Sequence, residues 1–130
     1  RVALLSFSNF GSLSRPSSEN LKEAVEILND RNVDFEFDGE MTPEVALDYE
    51  LIKKNYPFCR LSGPANVLIM PSLLAANISF KLLQKIGNGS VLGPLMIGGE
   101  KPFQIVQMGS SVSDIVNSAS ISAYNALYTD

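Results

Sequence analysis

The sequence predicts an α/β fold: a three-layer domain with a mostly parallel sheet and helices on both faces. Three observations support this prediction. Strand-like and helix-like patterns alternate along the 130 residues, helix-capping residues separate them, and the apolar run "NVLIM" at 66–70 is typical of a strand buried on both faces. The predicted order is β-α-β-α-β-α-β-β-α. Ligands of such sheets bind beyond the carboxyl ends of the strands, so polar residues there are the first site candidates.

The first half of the chain is predicted to contain a strand, a helix, a strand and a helix, at residues 2–8, 18–31, 33–37 and 42–55. The first helix has apolar residues at helical spacing, and Glu19 lies in its first turn, where the dipole favours an anion. "VDFEF" alternates apolar and acidic residues, as a half-exposed strand near a sheet edge does. Thr42 followed by Pro43 is a typical N-cap and first-turn pair.

The second half is predicted to contain a strand, a helix, two strands and a helix, at residues 66–70, 73–86, 90–98, 103–107 and 111–128. Gly87 suits the end of the first of these helices, and "NGS" after it predicts a turn. No apolar run approaches the length of a membrane span of ~20 residues. The chain begins at Arg1 inside an apolar stretch, which predicts a piece of a longer protein.

Charge is distributed unevenly and excludes some classes of partner. The net charge is −4, whereas binding to nucleic-acid phosphates needs clustered Lys and Arg. Residues 19–60 hold 16 of the 24 charged side chains, and residues 61–130 hold six. We therefore expect the second half to be buried or to face another domain or subunit, with no nucleic-acid or membrane partner.

Residue types limit the available chemistry. There is no His, so acid–base chemistry falls to carboxylates, Lys, Tyr or Cys59. One cysteine gives no internal disulfide, so a cytoplasmic location is the default expectation, with Cys59 as a small packed hydrophobe. The acidic run from Asp34 to Glu40 is compatible with a divalent metal, but a solvated strand face is the favoured interpretation, and no metal site is predicted. Asp38 and Glu40, at the strand end, are the better candidates for a polar contact to another segment.

Two polar segments are candidate sites. The loop "SFSNFGSLS" at 6–14 offers hydroxyls, an amide and backbone N–H groups that suit a phosphate or a carbonyl, although Ser and Asn also cap and turn chains. Asp114 follows Ser111 at the spacing of a capping box, which predicts a structural role. An ionised carboxylate at a helix start is also suited to take a proton from a bound thiol.

Four stretches together resemble the phosphate acetyltransferase/butyryltransferase family. They are "LLSFSNFGS", "DGEMTPEVALD", "GPANVLIMP" with "AANISFKLLQ", and "LGPLMIGGEKPFQIVQMGSSVSDIVN", in the family's order and over essentially the whole chain. "SNFGS" and "YPFCRLSGPANVL" are most similar to the phosphotransacetylase-like C-terminal domain of bacterial NADP-dependent malic enzymes. The resemblance implies a two-lobed α/β fold like that of isocitrate and isopropylmalate dehydrogenases. Residues 1–93 would belong to the second lobe, and residues 94–130 would return to the first, making the chain a C-terminal fragment of the domain.

The resemblance also implies an active site that has lost its cations. The family motif is Ser-Arg with an Asp six residues after the Arg, and the Asp is thought to take the CoA thiol proton. Asp114 matches the Asp, whereas Gln107 and Met108 replace the Ser and Arg; Phe10 replaces a Lys of the early loop. No catalytic residue is therefore assigned with certainty. The ligand-binding candidates are Ser8, Asn9, Gly11, Ser12, Gln107, Ser110 and Asp114.

The function implied by the resemblance is regulatory. The parent would be a malic enzyme that uses NADP and a divalent metal, Mg or Mn, to convert malate to pyruvate and CO2. This segment would bind neither cofactor, contact the upstream malic-enzyme domain, support a homo-oligomer and respond to acetyl-CoA or CoA. Two alternatives remain open: an active phosphate acetyltransferase in which Arg15 or Lys101 replaces the lost cations, and a purely structural oligomerisation module.

Overall fold

The structure, a computed structural model, describes residues 1–13, 15–87 and 89–128, with the backbone alone for Ser17 and Ser18. The described residues form three strands and five helices: β1 Val2–Leu5, α1 Pro16–Asp30, β2 Phe37–Met41, α2 Pro43–Leu47, α3 Tyr49–Asn55, β3 Val67–Ile69, α4 Leu73–Ile86 and α5 Val112–Tyr128. The chain divides into two compact units, Arg1–Lys81 and Leu82–Asp130. The α/β class is confirmed.

The sheet of the first unit is parallel, with the strand order β2-β1-β3. Val2 of β1 lies opposite Phe37 on one side and Val67 on the other. A Cβ on Gly39 would lie 2.7 Å from the Leu4 carbonyl oxygen, so only glycine fits at this position of β2 beside β1. The carboxyl ends of β1 and β2 therefore lie side by side, and the loop after β1 starts at this edge.

The hydrophobic core of the first unit packs β1 and the end of β2 against α2 and α3. Its buried members are Ala3, Leu5, Met41, Val45, Ala46, Ile52, Leu61 and Ala65. Met41, Val45 and Ile52 come from three successive elements, so the turn after β2 is fixed by packing on both of its sides. This core holds the sheet edge that carries the early loop.

The second strand lies four residues later than the alternating pattern predicted. Phe37, the last residue of the predicted strand, is the first of β2 because it pairs with Val2, and such pairing across the chain is invisible to a local pattern. Asp38 and Glu40 are 6% and 0% exposed, so the predicted solvated face is wrong for these two residues. Their predicted polar contacts are confirmed: Asp38 accepts from the Arg60 backbone N–H at 2.8 Å, and Glu40 accepts from Ser8.

The helix predicted over 42–55 is divided into α2 and α3 at Asp48. The Asp48 carboxylate accepts from the Leu51 N–H at 3.0 Å, and its own N–H donates to the Glu44 carbonyl at 3.1 Å. One residue thus ends α2 and caps α3. Thr42 occupies the predicted N-cap position, but its side chain makes no capping hydrogen bond.

The third strand is less buried than predicted. β3 lies at an edge of the sheet, where Val67 and Ile69 are 44% and 45% exposed, so burial on both faces is wrong for the described residues. The predicted α4 is confirmed over Leu73–Ile86, and the Gly87 N–H closes it by donating to the Leu83 carbonyl at 2.8 Å. The predicted final helix is confirmed as α5.

The strands predicted at 90–98 and 103–107 are wrong: the structure describes both segments without a strand. A strand needs a hydrogen-bonded neighbour, and among the described residues the hydrogen bonds between these two segments all involve one side chain, that of Gln104. The Gln104 amide accepts from the Met96 N–H at 2.9 Å and donates to the Met96 carbonyl at 3.3 Å. Asn88, in the predicted turn before them, lies outside the described residues. None of the helices that the structure describes is long and apolar enough to span a membrane.

Candidate functional site

The early-loop candidates lie in the first unit and anchor the loop to β2. The Ser8 hydroxyl donates to the Glu40 carboxylate at 2.5 Å, and the Asn9 amide oxygen accepts from the Thr42 N–H at 2.7 Å. The Phe10 N–H donates to the Glu40 carbonyl at 2.7 Å. These hydrogen bonds satisfy polar groups at the carboxyl end of β2, so Ser8 and Asn9 have structural partners before any ligand is present.

Gly11 and Ser12 complete the turn of this loop. The Ser12 N–H donates to the Asn9 carbonyl at 3.0 Å, and the Ser12 hydroxyl accepts from the Asn9 N–H at 3.3 Å. Gly11 has φ +80°, a conformation that glycine adopts without strain. The Lys22 ammonium nitrogen lies 3.0 Å from the point that a Cβ on Gly11 would occupy. Lys22, which the sequence analysis did not select, therefore brings a cation to the loop from α1.

Phe10 has an unusual backbone conformation within this loop. Its φ is +48°, a left-handed value that is rare for a bulky residue. Its ring packs against Tyr56 with centroids 5.1 Å apart and against Phe58 at 4.9 Å. Offset and edge-on aromatic pairs are stabilising, so the ring contacts offset the backbone strain. Phe10 is thus an aromatic anchor at the position where the resemblance places a cation.

Two buried oxygen atoms at the end of β2 have no hydrogen-bond partner among the described residues. They are Oε2 of Glu40 and Oγ1 of Thr42, and Glu40 is fully buried. Glu40 and Thr42 are two residues apart, the spacing that places strand side chains on one face. This pair is a second feature that the sequence analysis did not identify as a site.

The second unit contains the remaining candidates, beginning with a turn. The Ser110 N–H donates to the Gln107 carbonyl at 3.0 Å, and Gly109 has φ +95°. A four-residue turn with a positive φ at its third position favours glycine there. Met108, at the second position, is fully exposed. The turn therefore presents a thioether where the resemblance implies a guanidinium.

Asp114 forms the predicted capping box at the start of α5. Its Oδ2 accepts from both the N–H and the hydroxyl of Ser111, each at 2.8 Å, and its own N–H donates to the Ser111 hydroxyl at 3.2 Å. The bond from the Ser111 hydroxyl, followed by that from its N–H, lowers the pKa of the Asp114 carboxyl. Oδ1 receives no hydrogen bond from the described residues, so an ionised acceptor remains available to a ligand.

A cleft of about 210 Å³ brings the second group of candidates together. Gln107, Ser110 and Asp114 all line it, as does Met108. The other lining residues are Gln84, Val91, Leu92, Gly93, Pro94, Ile105, Val106, Gly109 and Ser118. Gln84 and Ser118 were missed by the sequence analysis because no capping or catalytic pattern singles out either residue. The cleft is a mixed site, with apolar walls and a few amide, hydroxyl and carboxylate groups.

Neither metal-binding nor thiol chemistry is prominent in the described part of the chain. No group of three or more His, Cys, Asp or Glu residues there could hold a metal ion. Burial raises the pKa of the half-buried Cys59 thiol, and the nearby Asp38 carboxylate acts in the same direction. Cys59 is therefore a poor nucleophile at neutral pH, as expected for a packed cysteine.

Comparisons with known proteins show the family. The family model for phosphate acetyl/butaryl transferase matches residues 1–123. The NADP-dependent malic enzyme of Rhizobium meliloti is 53% identical over 126 residues, which are 97% of this chain and 16% of that protein. The phosphate acetyltransferase of Treponema pallidum is 40% identical over 123 residues, 92% of this chain and 36% of that protein.

Solved structures agree with this assignment. A phosphotransacetylase from Streptococcus pyogenes matches with a TM-score of 0.89 and 35% identity, over 98% of this chain and 39% of that one. The EutD phosphotransacetylase from Staphylococcus aureus matches with a TM-score of 0.83 and 32% identity, over 96% and 39%. The chain thus spans a minor part of each of these relatives. Because both the family model and the fold match over nearly its whole length, the chain belongs to the phosphate acetyl/butaryl transferase family.

Proposed function

We propose that this chain is the C-terminal part of the phosphotransacetylase-like domain of an NADP-dependent malic enzyme. In this proposal the domain no longer transfers acetyl groups. It supports a homo-oligomer and changes the rate of malate oxidation when acetyl-CoA or CoA binds. Residues 1–93 form part of its second lobe, and residues 94–130 belong to the first.

The relatives support the malic-enzyme assignment. Besides the Rhizobium protein, the probable NADP-dependent malic enzyme of Rickettsia prowazekii is 45% identical over 98% of this chain and 18% of that protein, against 40% identity for the Treponema phosphate acetyltransferase. In the proposed parent, NADP and Mg or Mn bind outside this chain, in an upstream domain that oxidises malate in the cytoplasm. The present chain contributes no ligand to either cofactor.

The observation that carries the loss of catalysis is the composition of the Asp114 cleft. It retains the carboxylate, but Gln107 and Met108 occupy the Ser and Arg positions, and none of its described lining residues is Lys or Arg. Phosphoryl and acyl transfer need positive charge at the developing anion, and loss of one such contact costs about 3 kcal/mol or more. A cleft with this lining supports binding far better than it supports acetyl transfer.

The direct test measures malate oxidation by the full-length protein while acetyl-CoA is titrated. Asp114→Ala is expected to weaken the response to acetyl-CoA, because it removes a carboxylate from the cleft and half of the capping box. Ser113→Ala is the matched control, since Ser113 is exposed, adjacent in sequence and not part of the cleft lining. A wild-type rate that ignores both acetyl-CoA and CoA would refute the regulatory function.

An active acetyltransferase remains the second candidate, and one observation favours it. Oδ1 of Asp114 accepts no hydrogen bond from the described residues, so a carboxylate oxygen placed to accept a thiol proton is still present, although the lowered pKa makes it a weak base. Formation of acetyl-CoA from acetyl phosphate and CoA by the full-length protein, abolished by Asp114→Asn, would establish this activity. If neither acetyl transfer nor a response to acyl-CoA is measured, the structural oligomerisation module is what remains.

A further inference from the structure

The two stretches that most resemble malic enzymes meet in the structure as one aromatic cluster. Phe10 belongs to "SNFGS", and Tyr56 and Phe58 belong to "YPFCRLSGPANVL". The ring centroids of Tyr56 and Phe58 lie 5.1 and 4.9 Å from that of Phe10, and 6.2 Å from each other. We call these three residues the aromatic cluster. Neither the Asp114 cleft nor the chemistry discussed above gives the cluster a role.

Phe58 is the exposed member of the aromatic cluster. It is 64% exposed, whereas Phe10 and Tyr56 are partly buried against the hydrophobic core. An isolated exposed Phe needs no explanation, but this ring is held by edge-on contacts with both neighbouring rings. A side chain that is ordered before a partner arrives loses less conformational entropy on binding. Phe58 thus has the properties of an aromatic anchor in a protein interface.

The backbone that carries Phe58 is fixed as well. Phe58 lies in a turn closed by the Cys59 N–H, which donates to the Tyr56 carbonyl at 2.9 Å. The next N–H, that of Arg60, donates to the Asp38 carboxylate of β2 at 2.8 Å. The early loop, on the other side of the cluster, is hydrogen-bonded to the end of the same strand. The exposed ring is therefore presented from two segments that are both anchored to β2.

The partner of this surface is indicated by the proteins that the two stretches resemble. If the phosphotransacetylase-like domain alone covered the cluster, both stretches should resemble free-standing phosphotransacetylases equally well, yet they are most similar to malic enzymes. The 126 matched residues are 16% of the Rhizobium malic enzyme, and the 123 matched residues are 36% of the Treponema phosphate acetyltransferase. The malic enzyme is thus more than twice as long, and its additional chain is what the shorter protein lacks.

We propose that the aromatic cluster is the surface on which the upstream malic-enzyme domain of this protein docks, with the Phe58 ring in an apolar pocket of that domain. The proposal rests on the malic-enzyme assignment proposed above, to which it adds the surface through which the two domains are in contact. Burial of the exposed ring removes apolar area from water and stabilises the contact.

The experiment places a photo-crosslinking residue at position 58 of the full-length protein. Phe58 is replaced by p-benzoylphenylalanine, and mass spectrometry identifies the peptide joined to it after irradiation. We expect a peptide from the part of the chain that precedes the phosphotransacetylase-like domain. Phe35 is the matched control, because it is also an exposed Phe, at 44%, with a ring partner in Phe37. It precedes β2, at the opposite end of that strand, so it should give no such peptide.

The other possible occupants give different peptides. A peptide from within the phosphotransacetylase-like domain, of the same copy or of a second copy, would show that this domain covers the cluster itself. That result would overturn the proposal. It would also be overturned by the absence of any crosslink from position 58, or by crosslinks to the upstream domain that are equal from positions 35 and 58.

The role of the ring contacts is tested by a second change in the same protein. Phe10→Ala removes one of the two rings that hold position 58 and should lower the yield of the upstream crosslink. Phe35→Ala removes an exposed ring elsewhere and should leave that yield unchanged, and circular dichroism should show both variants folded. An unchanged yield in a folded Phe10→Ala variant would overturn the role of the cluster in presenting this ring.

The outcomes for the docking surface and for the proposed function are distinguishable. If position 58 crosslinks to the upstream domain while acetyl-CoA leaves malate oxidation unchanged, the docking surface stands and the regulation is wrong. If acetyl-CoA changes the rate while position 58 gives no upstream peptide, the regulation stands and the docking surface is wrong. A full-length protein that does not oxidise malate would refute the proposed function whatever position 58 contacts.

Discussion

Asp114 illustrates how one carboxylate has both a structural and a chemical consequence. Its bonds to Ser111 begin α5, and the same bonds stabilise its ionised form. The capping role followed from the Ser-x-x-Asp spacing, which is local and could be predicted from sequence. The neighbours that make a cleft around it come from α4 and from residues 91–110, and no local pattern indicates them.

We predict that Ser111→Ala changes both the stability of α5 and the titration of the Asp114 carboxyl. Losing the N-cap hydroxyl should cost about 1 kcal/mol, so the Ile115 amide, whose N–H donates to the Ser111 carbonyl, should exchange about fivefold faster. The hydrogen bond from the Ser111 hydroxyl is the largest cause of the lowered Asp114 pKa, so its removal should also raise that pKa towards its ordinary value. Amide hydrogen exchange and carboxyl NMR titration of the full-length protein measure the two effects.

The sign of the pH dependence follows from the lowered pKa. The folded state holds the Asp114 proton less tightly than the unfolded state does, so this contribution to stability is fully present above the unfolded-state pKa. It is lost as pH falls through the lower, folded-state pKa. As a control, Ser113→Ala should change neither the Ile115 amide exchange nor the Asp114 titration. If Ser111→Ala leaves the Asp114 titration unchanged, the Ser111 hydroxyl is not the cause of the lowered pKa.

At the scale of elements, helices were predicted better than strands. α4 and α5 follow from periodicity together with Gly87 and the Ser111 capping box, all of which act within one or two turns. β2 was placed four residues early because the alternation of 33–37 is local, whereas its true position depends on pairing with β1. The continuous helix predicted over 42–55 failed because an internal Asp48 was not recognised as a cap.

We predict that the Asp48 side chain stabilises the first turn of α3. Asp48→Ala removes the acceptor for the Leu51 N–H and should cost about 1 kcal/mol, so the Leu51 amide should exchange about fivefold faster. Asp48→Asn should have a smaller effect, because Asn is also a good N-cap. Glu50→Ala is the control in the same helix turn, since its exposed contact with Lys53 contributes little. Comparable exchange in all three variants would show that α3 does not depend on this cap.

At the scale of the whole molecule, the uneven charge distribution corresponds to unevenly buried side chains. The described core lies in the first unit, whereas no described residue of α4 or α5 is fully buried. Several large apolar side chains of α5 are exposed instead, among them Val112 and Leu127 at 79% and Tyr128 at 73%. The sequence predicted that this half is buried or faces another domain or subunit; burial within the chain is wrong for the described residues of α4 and α5, and the second alternative stays a prediction.

We predict that the exposed end of α5 forms a subunit contact in the full-length protein. Tyr124 and Tyr128 stack with ring centroids 4.7 Å apart, and Leu127 lies between them in sequence without a charged neighbour on the helix. Apolar faces of this kind, rich in aromatic residues and poor in charge, are typical of protein interfaces. A carboxylate placed there would be desolvated without a partner, so Leu127→Glu should lower the oligomeric mass measured by analytical ultracentrifugation. Ser113→Glu, at the other end of the same helix, should leave the mass unchanged, and circular dichroism should show both variants folded. A folded Leu127→Glu protein with the wild-type mass would show that this face is not the contact between subunits.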